Sequence, residues 1–493
     1  MLSQIKGLKP LRLSEYLLLV LYAFVLPFSW RIATFVMIAI FCVAVFKGIF
    51  ESGFKIKGWQ FKNKIACIIF IAFWTIYAIS FLYSENSAEA RFQIGKKLSF
   101  LLFPIYFICS DLSYLTKERI RVIMRFFVYG ILALFYVNVV LAGYDVLFEG
   151  VPKSRLYDPL FLELGTGYIH HTYVSLYICF AIAVCFEGIF ANKSTRSVVF
   201  NIVAIISLLA FILISKSRAG QLCVMLVFVI LWIWLTIVKK KKKVGLIAGT
   251  VMIALVGLGI ALFPKSIEKV SHTIANLQNP EREDIRISIY KSCKDLMLDN
   301  FWFGVGVGDR SDNMMDCYIK TREDVILKVR PVNDMYSVDF SQNGRDCMNK
   351  MWEIFRGVLT DYTFDYAHRV ADKYSCDYSS VRENLAVYFN MELAIESNCN
   401  IHNQFLDAVI SVGVLGMLLL IAIFVLPIYM WVKSKRFDVV YFSLLFVVAF
   451  FSMFESTFER QMGIMFFVFF YFILFHASFC HDVSKENELL NEK

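Results

Sequence analysis

Three polar side chains lie next to long apolar segments and have the chemistry to act on a substrate there. Arg218 stands in "SKSRAGQL", His402 opens "IHNQFLDAVISVGVLG", and Arg286 lies in "IRISIYKSCKDLML". A guanidinium near a helix N-terminus favours anion binding, because the free N–H groups and the helix dipole are also positive there. The same positive helix end favours the neutral form of His402, and a neutral imidazole can accept a proton from a hydroxyl. These residue types therefore indicate an anion site with a general base.

Arg218 and His402 also have plain structural interpretations. Arg218 could be an interfacial anchor whose guanidinium contacts lipid phosphate. His402 and its neighbour Asn403 could do no more than cap the helix that follows them. The spacing of residues does not choose between the two interpretations.

The remaining candidates are neighbours of these residues in sequence. Arg282 and Tyr290 stand four residues before and after Arg286, so the three share one face of a predicted helix, which could equally be a solvated face. His170 and His171 open another apolar segment and could contact substrate, or could belong to an interfacial aromatic belt. Gly304, Gly306 and Gly308 lack the lysine and the βαβ context of a nucleotide site and are predicted to end a helix in a turn.

The elements that must position these residues are membrane helices. The chain has 493 residues, of which 58% are hydrophobic and only 18% charged, and its mean hydropathy is +0.61. Apolar runs of about twenty residues, long enough to cross hydrocarbon, recur throughout. We predict an all-α polytopic membrane protein with about twelve spans. Their approximate limits are 13–29, 33–50, 64–83, 96–112, 121–143, 169–190, 197–215, 219–238, 244–263, 402–431, 438–456 and 461–480.

The distribution of lysine and arginine predicts the orientation. Short loops rich in these residues stay in the cytoplasm, which places both termini and the run Lys239 to Lys243 inside. The predicted division is then 1–263 as helices 1 to 9, 264–401 as one mostly helical periplasmic domain, 402–480 as helices 10 to 12, and 481–493 as a cytoplasmic tail. The net charge of +9 is explained by this topology, so nucleic acid is not expected as a partner. No CxxC or HxxxH spacing appears, and no metal site is expected.

Three segments together resemble the O-antigen ligase and polymerase superfamily. "SKSRAGQL" is similar to its R-x-x-x-L motif, with Arg218 and Leu222 in the motif positions. "RISIYKSCKDLMLDNFWFGVGVGD" is similar to its external helix, in which an arginine precedes an aromatic residue and a G-x-G turn closes the segment. "HNQFLDAVISVGVLG" is similar to its histidine-bearing element, with glycines at Gly413 and Gly416. The resemblance covers about 200–480.

The resemblance implies a C-type glycosyltransferase fold and a metal-independent, inverting transfer without a cofactor. Its implied donor is a glycan on undecaprenyl diphosphate, and the implied acceptor is a hydroxyl of a glycan, of lipid A core or of a protein. Arg218 and Arg286 would hold the diphosphate, and His402 would orient or deprotonate the acceptor. The implied location is the bacterial inner membrane, in contact with the lipid bilayer, with the active face periplasmic.

Two alternatives to a ligase remain open on the sequence. A repeat-unit polymerase of the same family would need the same diphosphate-binding groups and the same base. A lipid-linked glycan flippase or transporter would suit twelve spans, although no repeated halves are recognisable. The stretch from Gly308 to His402 is longer than the resemblance implies, and no functional residue is assigned to its portion 312–398.

Overall fold

A computed structural model describes residues 8–52, 61–148, 171–191, 194–215, 217–246, 249–250, 285–321 and 400–480. Every regular element within these ranges is helical. The helices, numbered in chain order, are α1 Pro10–Val25, α2 Trp30–Lys47, α3 Phe61–Ser80, α4 Ser87–Lys96, α5 Ser99–Cys109, α6 Lys117–Phe148, α7 His171–Ala191, α8 Thr195–Ile214, α9 Arg218–Ile233, α10 Ile285–Asp299, α11 Arg310–Thr321, α12 Gln404–Ser434, α13 Val439–Phe454 and α14 Gln461–Phe475. One π-helical turn follows each of α2, α9 and α14, and a short 3₁₀ helix, Thr457–Glu459, precedes α14.

Seven helices of the described part are long and apolar enough to cross a membrane, or eight if a bent pair counts as one span. The chain is therefore a multi-pass membrane protein. Two further predicted spans correspond to the shorter apolar helices Lys64–Ser80 and Val439–Phe454, and the predicted span 244–263 lies almost wholly outside the described residues. The number twelve stays a prediction. So does the external domain 264–401, of which the structure describes 285–321 and 400–401.

Two predicted spans are interrupted helices. The predicted span 96–112 is formed by the end of α4 and by α5, which meet at an angle of 40°. Lys97 lies at this break, is buried, and donates to Glu459 Oε1 at 2.9 Å. The predicted span 402–431 is α12, which has non-helical backbone at Val412 and Gly413.

The described residues divide into two units. The first is drawn from Met1–Thr75, Ile94–Glu268 and Leu418–Lys493, and the second from Ile76–Gln93 and Lys269–Met417. Arg218 and His171 belong to the first unit, whereas Arg286, Tyr290 and His402 belong to the second.

Helix α14 forms the centre of the first unit. Its sequence "QMGIMFFVFFYFILF" is apolar on all sides, as expected of a helix with no solvent-facing stripe, and Met462 to Phe475 are all buried. The α14 rings pack against aromatic side chains from other helices, with Phe469 4.5 Å from Tyr22 and Phe470 4.6 Å from Phe127 between ring centroids. By contrast, α2 and α8 carry large exposed apolar side chains such as Phe35 and Ile206, as a lipid-facing surface requires.

A buried ion pair joins α1 to the end of α2. Glu15 on α1 is fully buried and pairs with Lys47, which is 1% exposed. The hydroxyls of Tyr106 and Tyr114 donate to the same carboxylate at 2.9 and 2.8 Å, and Lys47 Nζ also donates to the carbonyl oxygen of Asp111 at 3.1 Å. Both charges are therefore compensated by partners in the first unit, which is the condition for burying them.

We expect Glu15→Gln to destabilise the protein by about 3–5 kcal/mol, because it leaves the buried Lys47 ammonium without its counter-charge. Glu118→Gln is the matched control, since Glu118 forms an exposed pair with Arg121 and such pairs contribute only about 0–1 kcal/mol. Thermal unfolding of both purified variants in the same detergent checks this. Equal unfolding temperatures for the two variants would show that the buried pair is not a stabilising contact.

Candidate functional site

The glycine-rich segment 301–309 packs against the first part of α12 in the second unit. Val305 N donates to the carbonyl of Ile410 at 2.8 Å, and Gly306 N donates to that of Ser411 at 3.1 Å. In return, Val414 N donates to the carbonyl of Phe301 at 2.9 Å. Two of the three motif segments identified in the sequence are therefore in direct backbone contact.

The bend of α12 is possible because residue 413 is a glycine. Gly413 has φ +76° and ψ −177°, a conformation that residues with a Cβ rarely adopt. A Cβ at this position would also lie 2.1 Å from the carbonyl oxygen of Trp302. Glycine at 413 thus allows both the bend and the close approach of the segment 301–309.

The glycines of the segment 301–309 form the turn predicted to follow the helix. Gly304 and Gly306 have φ of +70° and +97°, so α10 ends and the chain turns there. A Cβ at Gly304 would lie 2.6 Å from the carbonyl oxygen of Ile410, and one at Gly306 would lie 2.5 Å from Ser84 Oγ. These glycines are required by backbone approach, as the sequence predicted for a structural turn.

The turn also binds the segment that follows α3. Asp309 accepts hydrogen bonds from the backbone N–H groups of Glu85 and Asn86 at 2.8 and 2.7 Å. Tyr83 donates its hydroxyl proton to the carbonyl of Phe303 at 2.6 Å. Asp309 is buried, and its carboxylate connects the turn to the segment that follows α3 through these two hydrogen bonds.

A buried ion pair connects the start of α11 to the start of α12. Arg310 Nη1 donates to Asp407 Oδ1 at 2.6 Å, and the two side chains are 8% and 0% exposed. Gln404 Nε2 donates to the other carboxylate oxygen of Asp407 at 3.2 Å. Sequence reasoning missed Asp309, Arg310 and Asp407. The available signal was the presence of opposite charges in or next to two motif segments, with Asp309 and Asp407 inside them and Arg310 directly after the first.

His402 lies just before α12 and has well-defined backbone contacts. Its φ is +50°, and its N–H donates to Asn400 Oδ1 at 3.2 Å. Asn403 caps the helix, because its Oδ1 accepts from the N–H groups of Phe405 and Leu406 at 3.0 and 3.1 Å. The imidazole of His402 is partly exposed.

Tyr290 brings the helix of Arg286 to the histidine element. The hydroxyl of Tyr290 donates to the carbonyl oxygen of His402 at 3.2 Å. Arg286 is four residues before Tyr290 on α10, so the two positions share a face of that helix. The side chain of Arg286, and Arg282 as a whole, lie outside the described residues.

In the first unit, Arg218 is the first residue of α9 and is exposed. The preceding Ser217 caps the helix through its Oγ, which accepts from Gly220 N at 3.2 Å. Gly220 approaches α7 closely, since a Cβ there would lie 2.7 Å from the Cβ of Ser175. Arg218 therefore stands at a helix N-terminus, as the anion-site interpretation requires.

The histidine pair is only partly described. His171 is the first residue of α7, its side chain lies outside the described residues, and so does His170. Two residues on, Tyr173 is buried and its hydroxyl lies 3.4 Å from the carbonyl oxygens of both Ser456 and Thr457. No grouping of three or more potential metal-ligating His, Cys, Asp or Glu residues occurs within the described ranges.

Residues 202–329 match the family described as O-antigen ligase. This part of the chain is therefore similar to an O-antigen ligase domain. This match includes Arg218 and Leu222, Arg286 and Tyr290, and the glycine turn, and it ends before His402. The resemblance to the O-antigen ligase and polymerase family is thereby confirmed, and with it a place in polysaccharide biosynthesis at a membrane. None of the curated proteins matches this chain.

We expect Gly413→Ala to destabilise the second unit by about 1–3 kcal/mol or more, because alanine is strained at this φ and ψ and its Cβ overlaps the Trp302 carbonyl. Gly95→Ala is the matched control, since Gly95 is helical and no atom lies within 4 Å of its added Cβ. The control should be neutral or stabilising by up to about 1 kcal/mol. Thermal unfolding and limited proteolysis of both variants measure the difference, and an unchanged Gly413→Ala would mean that the bend does not depend on glycine.

Proposed function

We propose that this protein is an integral membrane glycosyltransferase of the O-antigen ligase type. It transfers a glycan from undecaprenyl diphosphate to an acceptor hydroxyl at the outer, periplasmic face of the inner membrane. The observation that carries the proposal is the family match over residues 202–329, a range that contains Arg218 and Arg286. The hydrogen bond from Tyr290 to His402 supports it, because it brings the histidine element to the helix that carries Arg286.

The proposed reaction is a single displacement. The acceptor oxygen attacks the anomeric carbon, the bond between that carbon and the phosphate oxygen breaks, and undecaprenyl diphosphate leaves with inversion at the carbon. The proton of the acceptor hydroxyl passes to His402, which acts as general base. Arg218 and Arg286 stabilise the negative charge that develops on the leaving diphosphate.

The other assigned residues have binding roles in the proposal. Arg282 and Tyr290 extend the face of Arg286, and Asn403 stands beside His402. His170 and His171 contact the glycan. The positive charge that a divalent metal supplies in other phosphate-releasing enzymes comes here from arginine side chains, so neither a metal nor an organic cofactor takes part.

We expect Arg218→Ala and His402→Ala to abolish transfer, with losses of about 100- to 1,000-fold for a charge-stabilising donor and about 100- to 10,000-fold for a general base. Arg196→Ala is the control, because Arg196 is an exposed arginine in the first turn of α8 and has no proposed role. The variants are expressed at equal levels and purified, and the measurement is their transfer of a defined lipid-linked glycan to candidate acceptors. Wild-type rates in both variants would remove the mechanism.

We also expect full transfer activity in excess EDTA, because arginine side chains supply the positive charge at the diphosphate. The assay compares untreated protein, EDTA-treated protein, and treated protein with Mg²⁺ restored. Activity lost in EDTA and recovered only with Mg²⁺ would count against the arginine roles while leaving the family assignment intact.

The same family match also supports a repeat-unit polymerase, which uses the same donor and a second lipid-linked repeat as acceptor. Deletion in the source bacterium separates the two. Loss of all glycan from its final acceptor indicates a ligase, whereas continued attachment of single repeats indicates a polymerase. A flippase or transporter would give no transfer product in detergent, where a transferase remains active.

A further inference from the structure

A cavity of about 360 Å³ lies at one end of the first unit. It is lined by residues near the starts of α6, α8 and α13, near the ends of α7, α12 and α14, and in the π-helical turns that follow α9 and α14. These are the helix ends that the lysine and arginine distribution assigns to the cytoplasm. None of the described residues proposed for glycan transfer lines the cavity, and Arg218 stands at the other end of α9.

The cavity wall carries an excess of positive charge. Five cationic side chains line it, against the two carboxylates of Glu187 and Asp438. Asp438 is already engaged, because its Oδ1 accepts from two backbone N–H groups at 3.0 Å and its Oδ2 accepts from Ser478 Oγ at 3.1 Å. The five cationic residues are Lys117, Arg121, Arg125, Lys239 and Arg436.

Three of these cations form a stripe on α6. Lys117, Arg121 and Arg125 follow one another at four-residue spacing, so their side chains leave the same face of the helix. Like charges at this spacing destabilise a helix. Arg121 has Glu118 as a partner and Arg125 Nη2 donates to Ser197 Oγ at 3.3 Å, but the stripe as a whole still favours an anion in the space it faces.

Two buried donors in the cavity wall have no acceptor among the residues that the structure describes. Asn201 and Trp431 are 6% and 5% exposed, and neither Asn201 Nδ2 nor Trp431 Nε1 has a hydrogen-bond partner within the described part of the chain. Unpaired buried polar groups are costly, so such donors indicate a ligand with acceptor oxygens. Gly188 leaves room for Asn201, because a Cβ at 188 would lie 2.7 Å from Nδ2.

We propose that this cavity binds a phosphate-bearing anion. Its volume is at the lower end of the range for ligand pockets and suits a headgroup-sized group. Tetrahedral phosphate offers acceptor oxygens to the guanidinium groups as well as to the amide and indole donors. The phosphate comes either from the headgroup of an anionic lipid or from a soluble phosphate compound.

The surroundings favour the lipid source. Trp234 and Trp431 line the cavity, and tryptophan is enriched at the level of lipid headgroups. Lys239 Nζ lies 5.3 Å from the centre of the Trp234 ring, which places a cation and an aromatic ring together at that level. Membrane topology alone explains basic residues in cytoplasmic loops, such as Lys242 and Lys243. These two lysines do not line the cavity.

Native mass spectrometry tests the proposal by measuring how the purified full-length protein binds short-chain phosphatidylglycerol and phosphatidylcholine. The variant is Arg121→Gln with Arg436→Gln, since both side chains are exposed and their loss should not prevent folding. Lys242→Gln with Lys243→Gln is the control, because it removes the same charge outside the cavity. We expect wild type and control to prefer phosphatidylglycerol, and the cavity variant to bind it roughly 30-fold more weakly.

A second variant and a second ligand complete the test. Asn201→Asp replaces the unpaired donor by an acceptor of the same shape, and should also remove the preference for phosphatidylglycerol. Inorganic pyrophosphate, assayed by thermal shift, replaces the lipid in a parallel experiment. If wild type binds pyrophosphate but not phosphatidylglycerol, and pyrophosphate binding is lost in both cavity variants, that result supports the proposal and identifies a soluble phosphate source. Equal losses in the cavity variant and the lysine control, or no binding of either ligand, would overturn it.

Discussion

A helix that bends in an apolar environment releases backbone groups that water cannot reach, and other groups must pair with them. The second unit is organised around this constraint. The bend at Val412 and Gly413 interrupts the hydrogen-bond ladder of α12, and the carbonyls of Ile410 and Ser411 become acceptors for the segment 301–309. The glycine turn occupies that position because its N–H groups can approach where a residue with a Cβ could not. The bend and the turn are thus two parts of one backbone interaction.

That interaction determines what stands near His402. Since the segment 301–309 follows α10 directly, its attachment to α12 fixes the end of α10 near the bend. Nearer the start of α10, Tyr290 contacts the backbone of His402. The Arg310–Asp407 pair, formed from the residues that open α11 and α12, provides a second connection with a different chemistry. Asp407 lies in the first turn of α12, where a negative charge also interacts favourably with the helix dipole. Backbone and charge together hold the histidine element, and the imidazole itself remains partly exposed.

The sequence predicted the elements better than their interruptions. An all-helical membrane protein, the turn at Gly304 and Gly306, and the helix that begins after Asn403 could all be predicted, because they depend on composition and on local residue preferences. The bend in α12 could not, because "VISVGVLG" is as apolar as an unbroken span and the cause lies in a segment about 110 residues earlier. The same holds for Asp407 and its partner Arg310, which are 97 residues apart. The family motifs identified Arg218, Arg286 and His402, but the roles of these residues depend on substrate contacts that residue types alone do not give.

The carboxylate of Asp309 has a consequence for how the protein is made. Its two hydrogen-bond partners, the N–H groups of Glu85 and Asn86, lie 224 and 223 residues earlier in the chain. During translation the segment after α3 leaves the ribosome long before Asp309 does, and longer still before Ile410 and Ser411. This early segment must therefore wait for its partners while most of the remaining helices are inserted, and contacts so distant in sequence form late. A chain that ends before α12 would have all of α3 and α10 yet would lack the carbonyls of Ile410 and Ser411 that accept from the glycine turn, so quality control of nascent chains has an incomplete second unit to recognise.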